Sequence, residues 1–245
     1  MLLSKSPLEL DHTDPCIGSL TEANMVQALA ENAVLAANRT SEFPSFFTAA
    51  IRPAGIFGEG DVQFLPKVLE AGRRGQFKFQ LGDNENLFDV TYVENVVHGH
   101  LLAVMALLET HKLLPSIPLD HERVDGEAFF ITNDSPVYFW DFSRSVVKAG
   151  GYEVPPPGKV WVLGLDTAMT IGTILEGIFW VLGRKPSLTR QQAKYSCVTR
   201  FYNIDKAKKR LGYAPIVGLE EAIKRSAIHC RKAADAANAE LAKKG

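Results

Sequence analysis

Cysteine is scarce in this sequence. Cys16, Cys197 and Cys230 are the only three, an odd number spread far apart. That excludes a disulfide framework and the paired spacings of a zinc site, and it fits a reducing, intracellular setting. An excess of one charge is missing too. The 27 Lys and Arg nearly balance the 28 Asp and Glu, for a formal net charge of -1. No global field then favours nucleic acid or an acidic membrane, and no nucleic-acid partner is expected. Residues 1–18 are polar and hold Asp and Pro where a signal peptide needs an apolar core, so no secretory leader is expected. Histidines do not cluster. His98 and His100 lie two apart on an expected helix, on different faces, and no metal site is expected. There is no internal repeat, and no low-complexity tract outside the Ala/Lys-rich tail.

What is present is an α/β pattern. Ser19-Leu20-Thr21-Glu22 has the form of a capping box, and Met25, Val26, Leu29, Ala33, Val34 and Ala37 follow at helical spacing. Residues 46–51 read as a buried strand that Pro53 ends. Gly55, Gly58 and Gly60 then let the backbone turn and approach a ligand closely, as at the carboxyl edge of an open α/β sheet. A short helix is expected over 62–73. Strands at 77–81 and 87–92, joined by the turn Gly82-Asp83-Asn84, are expected to form a hairpin. An apolar helix over 93–109, a buried strand over 127–132 and a helix over 138–149 follow. The C-terminal part reads as helices over 186–194, 205–211 (ended by Gly212) and 219–244.

Residues 160–182 are almost wholly apolar, with Trp161 and Trp180 near the ends, Asp166 and Glu176 inside, and Arg184-Lys185 just after. Three readings stay open. The stretch lies against a membrane or covers an apolar ligand, or it is a buried helical pair, or it spans the bilayer. Two carboxylates near the hydrocarbon centre weigh against a span.

Three segments carry a family resemblance: Arg52-Pro53-Ala54-Gly55-Ile56-Phe57-Gly58-Glu59-Gly60-Asp61, the stretch from Gly82 to Val96, and Phe201-Tyr202-Asn203-Ile204-Asp205-Lys206-Ala207 with Arg210-Leu211-Gly212-Tyr213. Over about residues 25–228 the sequence resembles the 3β-hydroxysteroid dehydrogenase branch of the extended short-chain dehydrogenases, and within it the fungal sterol-4α-carboxylate 3-dehydrogenases. The resemblance implies an incomplete Rossmann-like fold. Residues 1–60 would be the remnant of the nucleotide domain, without its first strands, and 61–245 the substrate-binding region. It also implies NAD as the family's cofactor, with Pro53, Ala54 and Gly55 as the nicotinamide-side loop. Phe57, Asp61, Asn86, Phe88 and Tyr92 become substrate-pocket candidates, although core packing is the favoured reading of Phe88 and Tyr92.

The family's catalytic Tyr-x-x-x-Lys aligns with Ala23 and Gln27. Ala23 has no proton to exchange, and Gln27 has no charge to depress a phenol pKa. The family's Gly-x-x-Gly-x-x-Gly turn does not follow any strand pattern here, and Gly55-x-x-Gly58-x-Gly60 matches the family elsewhere. No cofactor is therefore expected for this chain alone. The expected ligand is a hydrophobic sterol- or terpenoid-like molecule, and the expected setting is the cytoplasm or the endoplasmic reticulum membrane. A homo-oligomer or a partner chain is expected to cover the open sheet edge. Three functions stay open: a dehydrogenase descendant without redox activity, a non-redox isomerase or cyclase of fungal secondary metabolism, and a scaffold for sterol-processing enzymes. For the second, Asp61, Asp83, Asp89 and Glu94 are candidate proton-transfer groups, each also readable as structural.

Overall fold

The computed structural model describes residues 22–116, 118–181 and 195–244. Cys16, the first three positions of the capping box and the expected helix over 186–194 lie outside the described residues. In chain order the elements are α1 (Glu22–Ala36), β1 (Ala49–Pro53), β2 (Gly55–Phe57), α2 (Leu65–Arg73), β3 (Phe79–Leu81), β4 (Leu87–Phe88) and β5 (Val90–Tyr92). Then come α3 (Val93–Lys112), β6 (Glu127–Ile131), β7 (Val137–Tyr138), α4 (Phe139–Ala149), β8 (Trp161–Leu163), α5 (Leu165–Val181), α6 (Asp205–Leu211) and α7 (Leu219–Lys244). They sort into two compact units, each assembled from three separated segments.

The first unit holds residues 1–54, 94–134 and 202–216. Its centre is a parallel ladder of β1 on β6, running from Ala49 opposite Glu127 to Pro53 opposite Ile131. Phe129 and Ile131 are fully buried and pack with Ala103 of α3 and with Ala207 and Leu211 of α6. Gly99 is what lets α3 lie this close, since a Cβ there would come within 3.2 Å of the Ile131 side chain. Gly212 takes the left-handed conformation (φ 63°) that ends α6, and the chain then returns Tyr213, whose hydroxyl donates to the Thr132 carbonyl at 2.8 Å. Burial pushes that phenol well above its ordinary pKa.

The expected strand over 46–51 is displaced. The observed strand begins at Ala49 and runs through Pro53, and Phe46 is exposed. Just before the strand the backbone is held locally, because Thr48 donates its N–H to Asn38 Oδ1 at 2.8 Å and Arg39 N–H bonds the Phe46 carbonyl. Pro53 is tolerated as the last strand residue, where no further ladder donor is needed.

Lys206 and Arg210 of α6 approach Glu127 at 2.6 and 3.5 Å. Burial opposes ionisation of Glu127, but the two cations prevail and hold its carboxyl below the ordinary value. A depressed carboxyl stabilises the fold above its unfolded pKa, and that contribution is lost as pH falls through the folded value. Lys206→Met should therefore flatten the loss of stability below pH 4.5. Urea midpoints measured across the acid range check this, and parallel acid limbs in the two proteins would show that the pair is uncoupled from folding.

The second unit holds residues 55–93, 135–201 and 217–245. Here β2 pairs in parallel with β5, β3 in parallel with β8, and β4 antiparallel with β7. The expected hairpin between 77–81 and 87–92 does not form. Gly82 and Asn84 both have positive φ, and the segment they turn is anchored on α4 instead. Trp140 gives its main-chain N–H to Asn84 Oδ1 (2.9 Å) and its indole N–H to the Leu81 carbonyl (2.8 Å). The core gathers Phe57, Leu65, Leu69, Phe142 and Val146 against Ala222, Ile223 and Ala227 of α7. A Cβ at Gly72 would stand 2.6 Å from the Val147 side chain, so the glycine sets how closely α2 approaches α4.

Over its described residues the apolar stretch is β8 followed by α5, not a pair of helices. Trp161 (75% exposed), Val162 and Ile174 face outward, while Ala168 is buried. No described helix is long and apolar enough to cross a membrane.

Candidate functional site

The candidate residues fall into two groups, one in each unit. In the first unit, Ala23 lies in the first turn of α1, and Gln27 is exposed on the next. One turn further, Glu31 receives Arg52 of β1, whose Nε lies 3.0 and 3.1 Å from its two oxygens, and the guanidinium sits over the Phe130 ring. The α1–β1 junction is thus built firmly, while Ala23 and Gln27, the positions that the resemblance sets against the family's Tyr and Lys, carry a methyl group and a neutral amide. Pro53 pairs with Ile131, and buried Ala54 donates its N–H to the Ile131 carbonyl at 3.1 Å.

The second unit contains a cavity of about 600 Å³, within the ~300–1,000 Å³ typical of small-molecule sites. Gly55 lies at its edge, and its walls come from Ile56, Phe57, Phe64, Phe88, Phe142 and Tyr195. Ring contacts make the wall continuous: Phe57 meets Phe142 edge-on at 5.3 Å, Phe64 stacks on Phe142 at 5.9 Å, and Phe88 meets Tyr195 at 5.8 Å. Phe57, Asp61 and Phe88 of the pocket candidates are therefore brought together. Asn86 and Tyr92 are not. Asn86 is buried with its amide 3.5 Å from the Val198 carbonyl, and Tyr92 is fully buried with its hydroxyl donating to Glu59 at 2.8 Å.

Asp61 lines the cavity but is already committed. Its carboxylate accepts the N–H groups of Gln63 (2.7 Å), Phe64 (3.0 Å) and Leu65 (3.0 Å). Those are donors that the start of α2 would otherwise offer to an anion. The glycine loop before α2 is thus capped by its own acid, with Glu59 beside it, and does not fit a dinucleotide pyrophosphate. Asp83 is similarly used by its own turn, accepting from Glu85 N–H at 3.1 Å. Asp89 is buried, and Glu94 sits in the first turn of α3. Among the described residues no three His, Cys, Asp or Glu side chains gather as a metal site. Sequence reasoning missed Glu59, Phe64, Phe142 and Tyr195. Phe142 was legible as an apolar position of α4 and Phe64 as an apolar residue of the helix expected over 62–73, just before the observed α2, but Tyr195 belongs to no periodic pattern.

Residues 20–163 match the model of the 3-beta hydroxysteroid dehydrogenase/isomerase family. The chain is 45% identical over 203 residues to the sterol-4-alpha-carboxylate 3-dehydrogenase (decarboxylating) of Saccharomyces cerevisiae, covering 83% of this chain and 54% of that one. It is 37% identical over 215 residues to the enzyme of the same name from Mus musculus, covering 86% and 55%. Among solved structures it resembles the dTDP-glucose 4,6-dehydratase of Bacillus anthracis in complex with NAD. The TM-score is 0.52 at 13% identity, over 88% of this chain and 53% of that one, a likeness of fold alone. The chain spans about half the length of the curated relatives it matches. Ala23 and Gln27 both lie inside the matched residues. By that match the chain belongs to the 3-beta hydroxysteroid dehydrogenase/isomerase family.

Proposed function

We propose that this chain is a sterol-4α-carboxylate 3-dehydrogenase-like protein that holds a sterol- or terpenoid-type molecule in the cavity of its second unit and does not itself transfer hydride. The observation that carries the reading is the aromatic-walled cavity around Phe57, Phe88 and Phe142, large enough for a small polycyclic body and poor in uncommitted polar groups. Ala23 and Gln27 support the non-redox half, and so does the loop that Asp61 caps. NAD serves the family; here these residues supply neither the acid–base pair nor a phosphate seat in that loop.

Titrating dehydroergosterol, a fluorescent sterol, into the purified chain should give saturable binding, and titrating NAD by calorimetry should give no heat. Binding heat from NAD would overturn the non-redox reading, and absence of sterol binding would overturn the pocket. A second reading, a non-redox isomerase or cyclase, is favoured by Glu59. It lines the cavity and is held 2.8 Å from the buried Tyr92 phenol as a carboxylate–phenol pair. Chemical analysis of the ligand recovered after incubation separates binding from turnover.

Peripheral membrane contact through 160–182 belongs to the same proposal and is supported by the outward-facing Trp161, Val162 and Ile174. The protein should cosediment with vesicles of neutral and anionic phospholipid, and Trp161→Ala should weaken this severalfold. Equal sedimentation of the two proteins would remove β8 from the contact. A second copy or partner chain along the β1–β6 ladder, which is two strands wide among the described residues, completes the proposal and is read by analytical ultracentrifugation.

A further inference from the structure

We propose that the outward face of α3 in the first unit is a homodimer interface, on which two copies of this chain pair their α3 helices antiparallel about a two-fold axis. The proposal does not depend on the cavity reading, and it uses a different surface from the open edge of the β1–β6 ladder. A surface helix is ordinarily apolar on one side only. Helix α3 is apolar on two. Its inward side carries Gly99 and Ala103 and packs on Phe129 and Ile131. At about 100° per residue, Val97, Leu101, Val104, Met105 and Leu108 gather within about 100° of arc on the opposite side. Each is more than half exposed. Val97, Leu101, Val104 and Leu108 follow at steps of four, three and four, the seam spacing of a paired helix. The row they make is about 17 Å long. Continuous apolar exposure of this kind marks an interaction surface, as scattered single residues do not.

The ends of the row select its occupant. Glu94 and Lys112 lie 18 residues apart, five full turns, so both stand on the same flank of the row, and both are exposed. In an antiparallel pair centred near residue 103, Val97 stands against Leu108 of the second copy and Leu101 against Val104. The two-fold axis keeps matching flanks together, so Glu94 of each copy meets Lys112 of the other at both ends of the seam. Lys112 also bonds Glu109 across its own turn at 2.7 Å, but both side chains are about two-thirds exposed, and such a pair holds Lys112 only weakly. Parallel order would instead set Glu94 against Glu94 and Lys112 against Lys112, a repulsion at each end. A row with opposite charges at its two ends therefore fits its own copy, turned end for end. One helix face per copy is smaller than the ~800 Å² per partner of a standard interface, so association in the micromolar range is expected.

Sedimentation equilibrium of the whole chain between about 1 and 100 µM, bracketing that range, is the test. Wild type should move from 26.9 kDa towards twice that mass. Val104→Glu should weaken association about a hundredfold or more, because two carboxylates then meet at the centre of the seam, and at an exposed position it should leave the thermal melt of the monomer unchanged. Glu94→Lys and Lys112→Glu should each weaken association severalfold, and the double variant carrying both should recover it. The charge variants carry the comparison if Val104→Glu does not fold. A wild type that stays monomeric overturns the proposal, including the case in which phospholipid covers the row, seen as vesicle cosedimentation that Val104→Glu abolishes. A dimer that Val104→Glu leaves intact lies on another face, the ladder edge included, and overturns it equally. Single charge variants that associate as wild type does overturn the antiparallel order.

Discussion

Phe142→Ala is expected to be the most damaging single substitution in the second unit, lowering stability by about 3–5 kcal/mol, the range for truncating a fully buried aromatic. Phe142 is 2% exposed, and its ring is shared between Phe57 at 5.3 Å and Phe64 at 5.9 Å. Removing it costs the transfer term and leaves a void that those two rings cannot close without abandoning their own contacts. Because the same ring forms part of the ligand cavity, sterol binding should fall together with stability. Phe142→Leu keeps much of the volume and should cost clearly less. Urea unfolding with a fitted midpoint and slope gives both numbers. A loss below about 1 kcal/mol for the alanine variant would mean that the wall collapses freely, and that the cavity is not a preformed site.

In the first unit the largest expected effect is Asp125→Ala, about 3 kcal/mol, from leaving charges without their buried partner. Asp125 has no exposed side-chain surface. It accepts from Asn38 Nδ2 at 3.0 Å and faces Arg39 at 3.6 Å and Arg123 at 3.5 Å. Glu70 provides the contrast. Its contacts to Arg73 and Arg74 are shorter, both 2.6 Å, but all three side chains are largely in water. Water and salt screen such pairs, so Glu70→Ala should leave the unfolding midpoint where it is. If the two substitutions behave alike, burial is not what gives Asp125 its weight.

Much of the fold was legible in the residues themselves. Helix α3 followed from its long apolar run, α6 from Gly212 just past its end, and β6 from the short run of buried apolar residues. Those signals are local. The failures were cases where a partner lay far along the chain. The hairpin looked sound because 77–81 alternates, a turn follows and 87–92 reads as a returning strand, but β3 takes β8 as its neighbour, β4 takes β7 and β5 takes β2. No turn rule reveals pairings at that separation. The site divides in the same way. Asp61 stood out as an acid in a glycine loop, but its commitment to three backbone N–H groups depends on the loop's path. Phe57 and Phe88 were found through the resemblance. Tyr195 joins the wall through the Phe88 ring, a contact that no spacing encodes.

The interleaving of the two units bears on how the protein is made. The core of the first needs Tyr213, and the core of the second needs Cys230. On the ribosome the first core cannot close before Tyr213 is made, nor the second before Cys230, so β1 and β2 wait more than 150 residues of synthesis for their last packing partners. For the same reason no single cut in the gene yields either unit alone. A truncation that reaches past residue 54 from one side or past residue 217 from the other takes material from both, and a shortened chain of that kind that misfolds says nothing about which unit was at fault.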